Sequence, residues 1–127
     1  MRLLLDTHAL LWWFVGDERL SQAAKRAISR SSDTFVSAAS AWEIAIKHRA
    51  GKLPGASAIV GDMSAAVVDE EFRELPISLN HGQIAGSLPD IHRDPFDRML
   101  MAQAMAENLV LVSNERLFDA YGVARLW

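Results

Sequence analysis

Short apolar runs alternate with longer segments of helical spacing along this chain of 127 residues. The apolar runs lack the polar alternation of a strand with one wet face, which is typical of parallel strands buried on both sides. They predict strands over residues 2–5, 34–37, 72–76, 109–112 and 123–126. The pattern therefore predicts a buried parallel sheet of about five strands.

Apolar positions spaced for helices fill the segments between the predicted strands. They predict helices over residues 7–14, 21–31, 38–50, 59–70, 80–87 and 95–107, and a last helical turn over 117–120. A break at residues 51–55, which contains glycine and proline, separates the third helix from the fourth. Alternating units of this length imply right-handed parallel crossovers. We therefore expect an α/β fold with helices on both faces of the sheet, as one domain over residues 1–127.

The composition narrows the class of protein. Apolar residues make up 50% of the chain and charged residues 23%, which is ordinary for a globular protein and argues against disorder. A net charge of -3 gives no overall field for nucleic acid, so a polyanion would need a local basic patch. The absence of cysteine excludes disulfides and Cys-type zinc sites. The apolar start meets Asp6 and His8 too soon for a signal peptide or membrane span, which predicts a cytoplasmic protein without a membrane partner.

Acidic residues lie after the ends of predicted strands and near the starts of predicted helices. Asp6 closes the first strand, Glu43 follows the second strand by six residues, and Glu115 comes after the fourth strand. Asp94 and Asp97 stand at the start of the long helix near the C-terminus. Because parallel strands end at one edge of the sheet, where ligands of such folds bind, these carboxylates could meet there. A hard divalent metal ion requires such oxygen ligands.

Helix capping is the competing interpretation of each acid. Asp6 could cap the first helix, residues 40–43 fit the Ser-x-x-Glu capping box, and Asp94 precedes a proline suited to the first helical position. Serine, threonine or asparagine would cap equally well, so capping does not require charge. Several converging carboxylates would repel one another and raise each other's pKa values unless a cation joined them. The set as a whole therefore favours metal binding.

The residues near these acids leave two interpretations open. Lys47 lies one helical turn past Glu43 and begins a small basic cluster over residues 47–52, which could hold phosphates. Alternatively, the cluster is a solvated helix face and the Glu–Lys pair supports the helix. His8 could be a metal ligand or a structural residue, and a magnesium site prefers oxygen. The tryptophans are expected in the core or at a subunit interface: Trp12, Trp13, Trp42 and Trp127.

Four motifs carry a resemblance to a known family. They are LLDTHALLWW at residues 4–13, SAASAWEIAIK at 37–47, HRDPFDR at 92–98, and the ending from LVSNE at 111–115 to the last tryptophan. In this order and spacing they resemble the VapC-type toxins of the PIN-domain ribonuclease family, over nearly the whole chain. The resemblance implies a three-layer α/β/α sandwich and a Mg²⁺- or Mn²⁺-dependent endoribonuclease. It also implies the toxin of a bacterial toxin–antitoxin pair, which forms a homodimer and higher assemblies with a cognate VapB-type antitoxin.

The resemblance assigns roles to individual acids. Asp6 matches the family's first metal-binding aspartate, Glu43 its glutamate and Asp97 its third acid, while Asp94 matches the extra aspartate of the DPFDR-type branch. These four are the implied catalytic residues, and together with Glu115 they form the implied metal-binding set. The family's fourth motif is threonine, any residue, then aspartate, whereas this chain has serine, asparagine and Glu115. The longer Glu115 side chain is expected to reach a metal ion through water or to rest at a helix N-terminus.

Hydrolysis of a phosphodiester is the chemistry that a carboxylate-bound divalent metal supplies. We expect Asp6 and Asp97 to be the principal ligands and Glu43 to complete the shell or orient the attacking water. The chain has no glycine-rich phosphate cradle and no serine nucleophile motif, which argues against a kinase or serine hydrolase. Single-stranded or loop RNA is the expected substrate, because its splayed backbone can enter a narrow acidic cleft.

Two other functions remain open. A receiver-type phospho-acceptor domain shares the doubly wound shape, but it would require paired acids at the first strand and a lysine after a late strand. This chain has only Asp6 at the first place and Glu115 after the late strand. A catalytically weak PIN-like RNA-binding module is supported by glutamate in place of the family's fourth aspartate. Titration with metal would separate that module from the nuclease.

Overall fold

The fold is described from a computed structural model that covers residues 1–127. Five parallel strands form one sheet with the order β3-β2-β1-β4-β5. This confirms the predicted number and direction of the strands. The strands are β1 Arg2–Leu5, β2 Asp33–Ser37, β3 Arg73–Leu75, β4 Val110–Val112 and β5 Arg125–Leu126.

Six α-helices connect the strands, and their order agrees with the sequence pattern. They are α1 Thr7–Val15, α2 Gln22–Arg30, α3 Ala38–Arg49, α4 Met63–Asp69, α5 Leu79–Ser87 and α6 Pro95–Glu107, with short 3₁₀ helices at Ala56–Ala58 and Arg116–Tyr121. The prediction of one helix over 59–70 is wrong in its first part. The Asp62 side chain accepts a hydrogen bond from the Ala65 N–H and caps α4 there, so the helix begins at Met63.

Helices cover both faces of the sheet because successive strand residues point to opposite sides. In β1, Leu3 and Leu5 face a core of side chains from α1, α2, α3 and α4, whereas Leu4 faces a second core of side chains from α6. All three leucines are completely buried. The result is the expected three-layer α/β/α sandwich, with β1 at its centre.

The register of the strands fixes the position of the candidate site. Leu5 pairs with Val36 of β2 and with Val112 of β4, so these three strands end at the same level. The chain then leaves the sheet at Asp6, Ser37 and Ser113, side by side at what we call the carboxyl edge. The order of strands reverses at β1, where ligands of open parallel sheets bind. No helix has both the length and the hydrophobicity to cross a membrane.

Candidate active site

Asp6 connects β1 to α1 at the carboxyl edge. Its backbone N–H donates to the Val112 carbonyl (3.1 Å), and its side chain caps α1 by accepting from the Ala9 N–H (2.7 Å). The side chain is buried, and burial raises its pKa from 3.8 to about 6. Hydrogen bonds from Ser113 and Ala9 act against this increase, while the charges of Glu43 and Glu115 add to it. Asp6 is therefore a cap, as expected, and also a carboxylate in a negative environment.

The start of α3 differs from the sequence prediction. Ser37 caps the helix by accepting from the Ala39 N–H (3.0 Å), because the chain enters the helix directly from β2. The capping box predicted over residues 40–43 is therefore wrong. Ser40 lies inside the helix, is completely buried, and its hydroxyl donates to the Thr7 hydroxyl oxygen (3.0 Å), since the Thr7 proton goes to Glu43. This leaves Glu43 free of a capping role.

Glu43 points into the space between α1 and α3, and both of its carboxylate oxygens have partners. The Thr7 hydroxyl donates to Oε1 (2.6 Å), and the Lys47 ammonium donates to Oε2. The Glu43 side chain is only 5% exposed. The intrahelical Glu–Lys pair expected from the sequence is present, and it joins one of the most deeply buried acids of the chain to a cation.

The start of α6 presents two more acids. Asp94 caps the helix, and its Oδ1 accepts from the backbone N–H groups of Phe96 (2.8 Å) and Asp97 (3.2 Å). Asp97 lies in the first turn, and its Oδ2 is 2.7 Å from His92 Nε2. Burial raises the pKa of Asp97 to about 6, the His92 hydrogen bond lowers it, and the charges of Asp94 and Glu43 raise it further. Asp97 therefore interacts electrostatically with both Asp94 and Glu43.

The loop before α6 is held by residues to which the sequence argument gave no role. The Arg98 guanidinium donates to four backbone carbonyls, those of Ala85, Leu88, Pro89 and His92. The Tyr121 hydroxyl donates to the Pro89 carbonyl (2.6 Å) and accepts from the His92 N–H (2.8 Å). These bonds hold His92 beside Asp97. The motif HRDPFDR contained both His92 and Arg98, but only the tertiary structure supplies their partners.

Glu115 lies three residues after the end of β4, at the N-terminus of the next short helix. Its Oε1 accepts from the Leu117 N–H (3.0 Å) and caps the 3₁₀ helix Arg116–Tyr121. Ser113, which is completely buried, accepts from the Glu115 N–H (3.0 Å), and Asn114 is exposed. The expectation that Glu115 rests at a helix N-terminus is confirmed. Its charge still contributes to the raised pKa of Asp6.

The five predicted acids approach one another without forming a closed metal cage. Asp6 interacts electrostatically with Glu43 and Glu115, and Asp97 interacts with Glu43 and Asp94. No three acidic or histidine side chains stand close enough to hold one metal ion together. The donor chemistry nevertheless fits a hard divalent cation. The available ligand atoms are mainly carboxylate oxygens. Burial and neighbouring negative charge make the ionised forms of Asp6 and Asp97 unfavourable, and a bound cation would stabilise those forms.

His8 and the tryptophans lie outside this group of acids. His8 is exposed and packs against Trp12, with ring centroids 5.6 Å apart. Trp12, Trp13 and Trp127 are partly buried against the core, as expected. Trp42 is 62% exposed and makes an edge contact with Phe96 at 5.1 Å. The structure thus leaves one tryptophan available on the surface of α3.

Comparison with known proteins gives a consistent result. The family model for the PIN domain matches residues 3–124. Ribonuclease VapC22 of Mycobacterium tuberculosis is 30% identical over 114 residues, which cover 89% of this chain and 86% of that protein. Both matches extend over most of the chain, and the range of the family model includes every acid of the site.

Solved structures share the fold at low sequence identity. VapBC2 from Rickettsia felis, bound to a DNA fragment from its promoter, matches with a TM-score of 0.72 at 13% identity, over 99% of this chain and 98% of that one. FitAcB from Neisseria gonorrhoeae matches with 0.68 at 17% identity, over 98% and 96%. VapC20 of Mycobacterium tuberculosis, a toxin that cleaves the sarcin–ricin loop, matches with 0.67 at 16% identity, over 96% of both chains.

Proposed function

This chain belongs to the PIN-domain family and is related to the VapC ribonucleases, and from that premise we propose that it is a metal-dependent endoribonuclease, the toxin of a toxin–antitoxin pair. The observation that carries the proposal is that Asp6 and Asp97, both at the carboxyl edge, each interact electrostatically with the buried Glu43, and that burial raises the pKa of both aspartates. The absence of a lysine after β4 favours it over a receiver-type domain. We further propose that residues 1–127 act as one domain.

Asp6 and Asp97 would be the principal ligands of Mg²⁺ or Mn²⁺, with Asp94 and Glu115 as outer contributors. Such an ion, when bound, activates water and stabilises charge on the phosphoryl oxygens. In the metal-free chain burial raises the pKa of Asp6 and Asp97 to about 6, so a bound cation would favour the ionised form of both side chains. Asp94 holds the first turn of α6, and this fixes the position of Asp97.

Glu43 has an orienting role in this proposal. Thr7 and Lys47 together hold its two oxygens in place, so the side chain keeps one orientation beside the other acids. A carboxylate held in this way can accept a hydrogen bond from the attacking water through a remaining lone pair. The Thr7 contact also links α1 to α3, and so it ties the Asp6 side of the site to the Glu43 side.

Cleavage of RNA by the purified chain, with and without divalent metal, tests this proposal. Wild-type protein should cleave single-stranded RNA with Mg²⁺ or Mn²⁺ and lose activity in excess EDTA. Asp6→Asn and Asp97→Asn should each reduce cleavage by about 100-fold or more, since even outer-shell partners of metal ligands contribute about 10- to 100-fold. Asp33→Asn, the same chemical change at the start of β2 on the opposite edge, should cleave like wild type.

Two outcomes would contradict the nuclease. Cleavage that persists unchanged in EDTA would exclude the metal, and near-wild-type rates in Asp6→Asn or Asp97→Asn would exclude the proposed ligands. RNA binding that is tight but never followed by cleavage, at any metal concentration, would support the catalytically weak binding module instead.

The proposed partners are RNA, a VapB-type antitoxin and a second copy of the chain. The antitoxin is supported by the VapC relatives and by solved neighbours described as toxin–antitoxin complexes. Co-expression with the product of an adjacent small gene should suppress cleavage.

For the homodimer we propose the surface formed by Trp42 and Ile46 of α3 with Phe96 and Met99 of α6, which we call the α3–α6 surface. Trp42 and Ile46 lie one turn apart and are 62% and 46% exposed.

A further inference from the structure

Lys47 is a cation whose hydrogen-bonding capacity is mostly unused. It lies on α3, one turn after Glu43, and its ammonium donates to Glu43 Oε2. An ammonium group has three donors, and Lys47 makes no other hydrogen bond. Its side chain is 36% exposed, whereas that of Glu43 is 5% exposed. The remaining donors are therefore at the accessible end of a side chain whose carboxylate partner is buried.

Lys47 lies close to several of the acids. Its ammonium is hydrogen-bonded to Glu43, and the charges of Asp94 and Asp97 also act on it. The same cation thus interacts with acids from two different helices, α3 and α6. The other basic residues of this cluster, His48, Arg49 and Lys52, are exposed and form no ion pair.

Support of the helix does not account for this arrangement. An exposed Glu–Lys pair on a helix contributes little to stability and requires neither a buried glutamate nor a second helix. Here Glu43 is also fixed by Thr7 of α1, so the position of Lys47 is tied to the geometry of the site. An RNA strand that enters this site brings negative phosphates to a cluster of carboxylates. A cation with free donors at that place offsets the repulsion.

We propose that Lys47 binds a non-bridging phosphate oxygen of the RNA strand at the cleavage site, while it keeps its hydrogen bond to Glu43. The proposal rests on the nuclease function proposed above and adds a substrate contact to it. Lys47 would position the scissile phosphate against Asp6 and Asp97. This contact selects a charged phosphate and carries no base specificity.

The salt dependence of RNA binding measures this contact without cleavage. In the non-cleaving Asp6→Asn background, the affinity for a single-stranded RNA of about 12 nucleotides is measured over a range of salt concentrations. Adding Lys47→Met should reduce the slope of log K against log salt by about 0.7, the value for one phosphate contact on a single strand. Lys47→Arg should retain the slope. Arg30→Met removes an exposed cation at the end of α2, next to the opposite edge of the sheet, and should leave the slope unchanged.

A modified substrate tests the same contact during cleavage. Once the cut site is mapped, one non-bridging oxygen of that phosphate is replaced by a methyl group. Lys47→Met should reduce kcat/KM by about 100-fold on normal RNA, the lower range for loss of one donor to a developing oxyanion. The methyl substitution should then cost Lys47→Met much less than it costs wild type, because the two changes remove the same interaction.

The outcomes separate the two proposals. Unchanged salt slope and additive effects of Lys47→Met and the methyl group would overturn the Lys47 contact, even where Lys47→Met lowers the melting temperature. Should Lys47→Met fail to fold, Glu43→Gln with Lys47→Met is compared with Glu43→Gln alone, since this pair leaves no buried charge without a partner. Wild-type protein that neither binds nor cleaves RNA would overturn the nuclease function, and the Lys47 contact with it.

Discussion

The pKa values of Asp6 and Asp97 are shifted in the opposite direction from that of a surface aspartate in an ion pair. Asp17 is paired with Arg19 through hydrogen bonds that lower its pKa to about 2. Asp6 and Asp97 lie among other carboxylates, and burial raises the pKa of each to about 6. The exposed Asp17–Arg19 ion pair contributes little to stability. Acids whose negative charge is unfavourable in the folded chain are the ones expected to act in chemistry.

At the residue scale, Glu115 should matter less than Asp97. Its carboxylate already caps the 3₁₀ helix that follows β4, so it is available to a metal ion only at a distance. Glu115→Gln should lower RNA cleavage by less than about 10-fold, whereas Asp97→Asn should lower it by about 100-fold or more. Glu115→Asp, which restores the family's usual residue, should retain or increase activity.

Cleavage rates and metal affinities of these variants, measured side by side with Asn114→Ala, check the prediction. Asn114 is exposed on the same turn and is the alternative polar contributor. Equal damage from Glu115→Gln and Asp97→Asn would make Glu115 a direct ligand. A large effect of Asn114→Ala alone would move the fourth role to that residue.

At the scale of elements, the carboxyl edge depends on how α6 is joined to the loop before it. Arg98 of α6 connects the helix to this loop, because its guanidinium donates hydrogen bonds to backbone carbonyls between Ala85 and His92. Lysine has the same charge but lacks the planar fork of donors that reaches several carbonyls at once. These hydrogen bonds between α6 and the loop therefore require arginine and not merely a positive charge.

Arg98→Lys should reduce both stability and cleavage. The free energy of unfolding should fall by about 1–2 kcal/mol, since several part-buried carbonyls lose a charged donor. Cleavage should fall by about 10-fold, because His92 is no longer held beside Asp97. Urea denaturation and the RNA assay measure the two effects. Arg93→Lys, at an exposed neighbour without hydrogen bonds, serves as the control, and similar losses there would contradict the argument.

At the scale of the whole molecule, the raised pKa values connect pH to stability. For Asp6 and Asp97 the folded-state pKa of about 6 lies above the value of 3.8 expected in the unfolded chain. Their contribution to stability is therefore fully present below about pH 4 and is lost as the pH rises through about 6. Metal-free protein should become less stable between pH 4.5 and 7.5 through these groups.

Urea denaturation in EDTA across this pH range measures the effect. Asp6→Asn should flatten the pH dependence relative to wild type, because it removes one of the two groups responsible. At pH 7.5, Mg²⁺ should raise the melting temperature of wild type and much less that of Asp6→Asn, since the ion binds only the folded chain. Identical pH profiles for the two proteins would contradict the assignment of Asp6.

The α3–α6 surface sets the prediction for assembly. Wild type should be a dimer at micromolar concentrations, and Trp42→Glu should convert it to a folded monomer, because it places a charge in an apolar contact. Val68→Glu, at a 66% exposed position of α4, should leave the dimer intact. Light scattering coupled to gel filtration distinguishes these states. A monomeric wild type, or a Trp42→Glu variant that remains dimeric, would exclude this surface.

The sequence by itself determined the elements and their order. Apolar runs such as residues 2–5 predicted the strands, because a strand buried on both faces must be apolar throughout. The caps at Asp6 and Asp94 were also predictable, since capping depends on neighbours within a few residues. The family resemblance came from the same local motifs, and the match of the PIN domain model to residues 3–124 confirms it.

Tertiary structure decided what each side chain does at the carboxyl edge. The fixing of Glu43 by Thr7 and the contact of His92 with Asp97 depend on partners elsewhere in the fold, and α3 is capped by Ser37 because β2 ends there. Thr7 and Glu43 are 36 residues apart, and only the register of β1 with β2 brings their helices together. Burial, which raises the pKa values of Asp6 and Asp97, is likewise a property of the packed layers and not of any local run of residues.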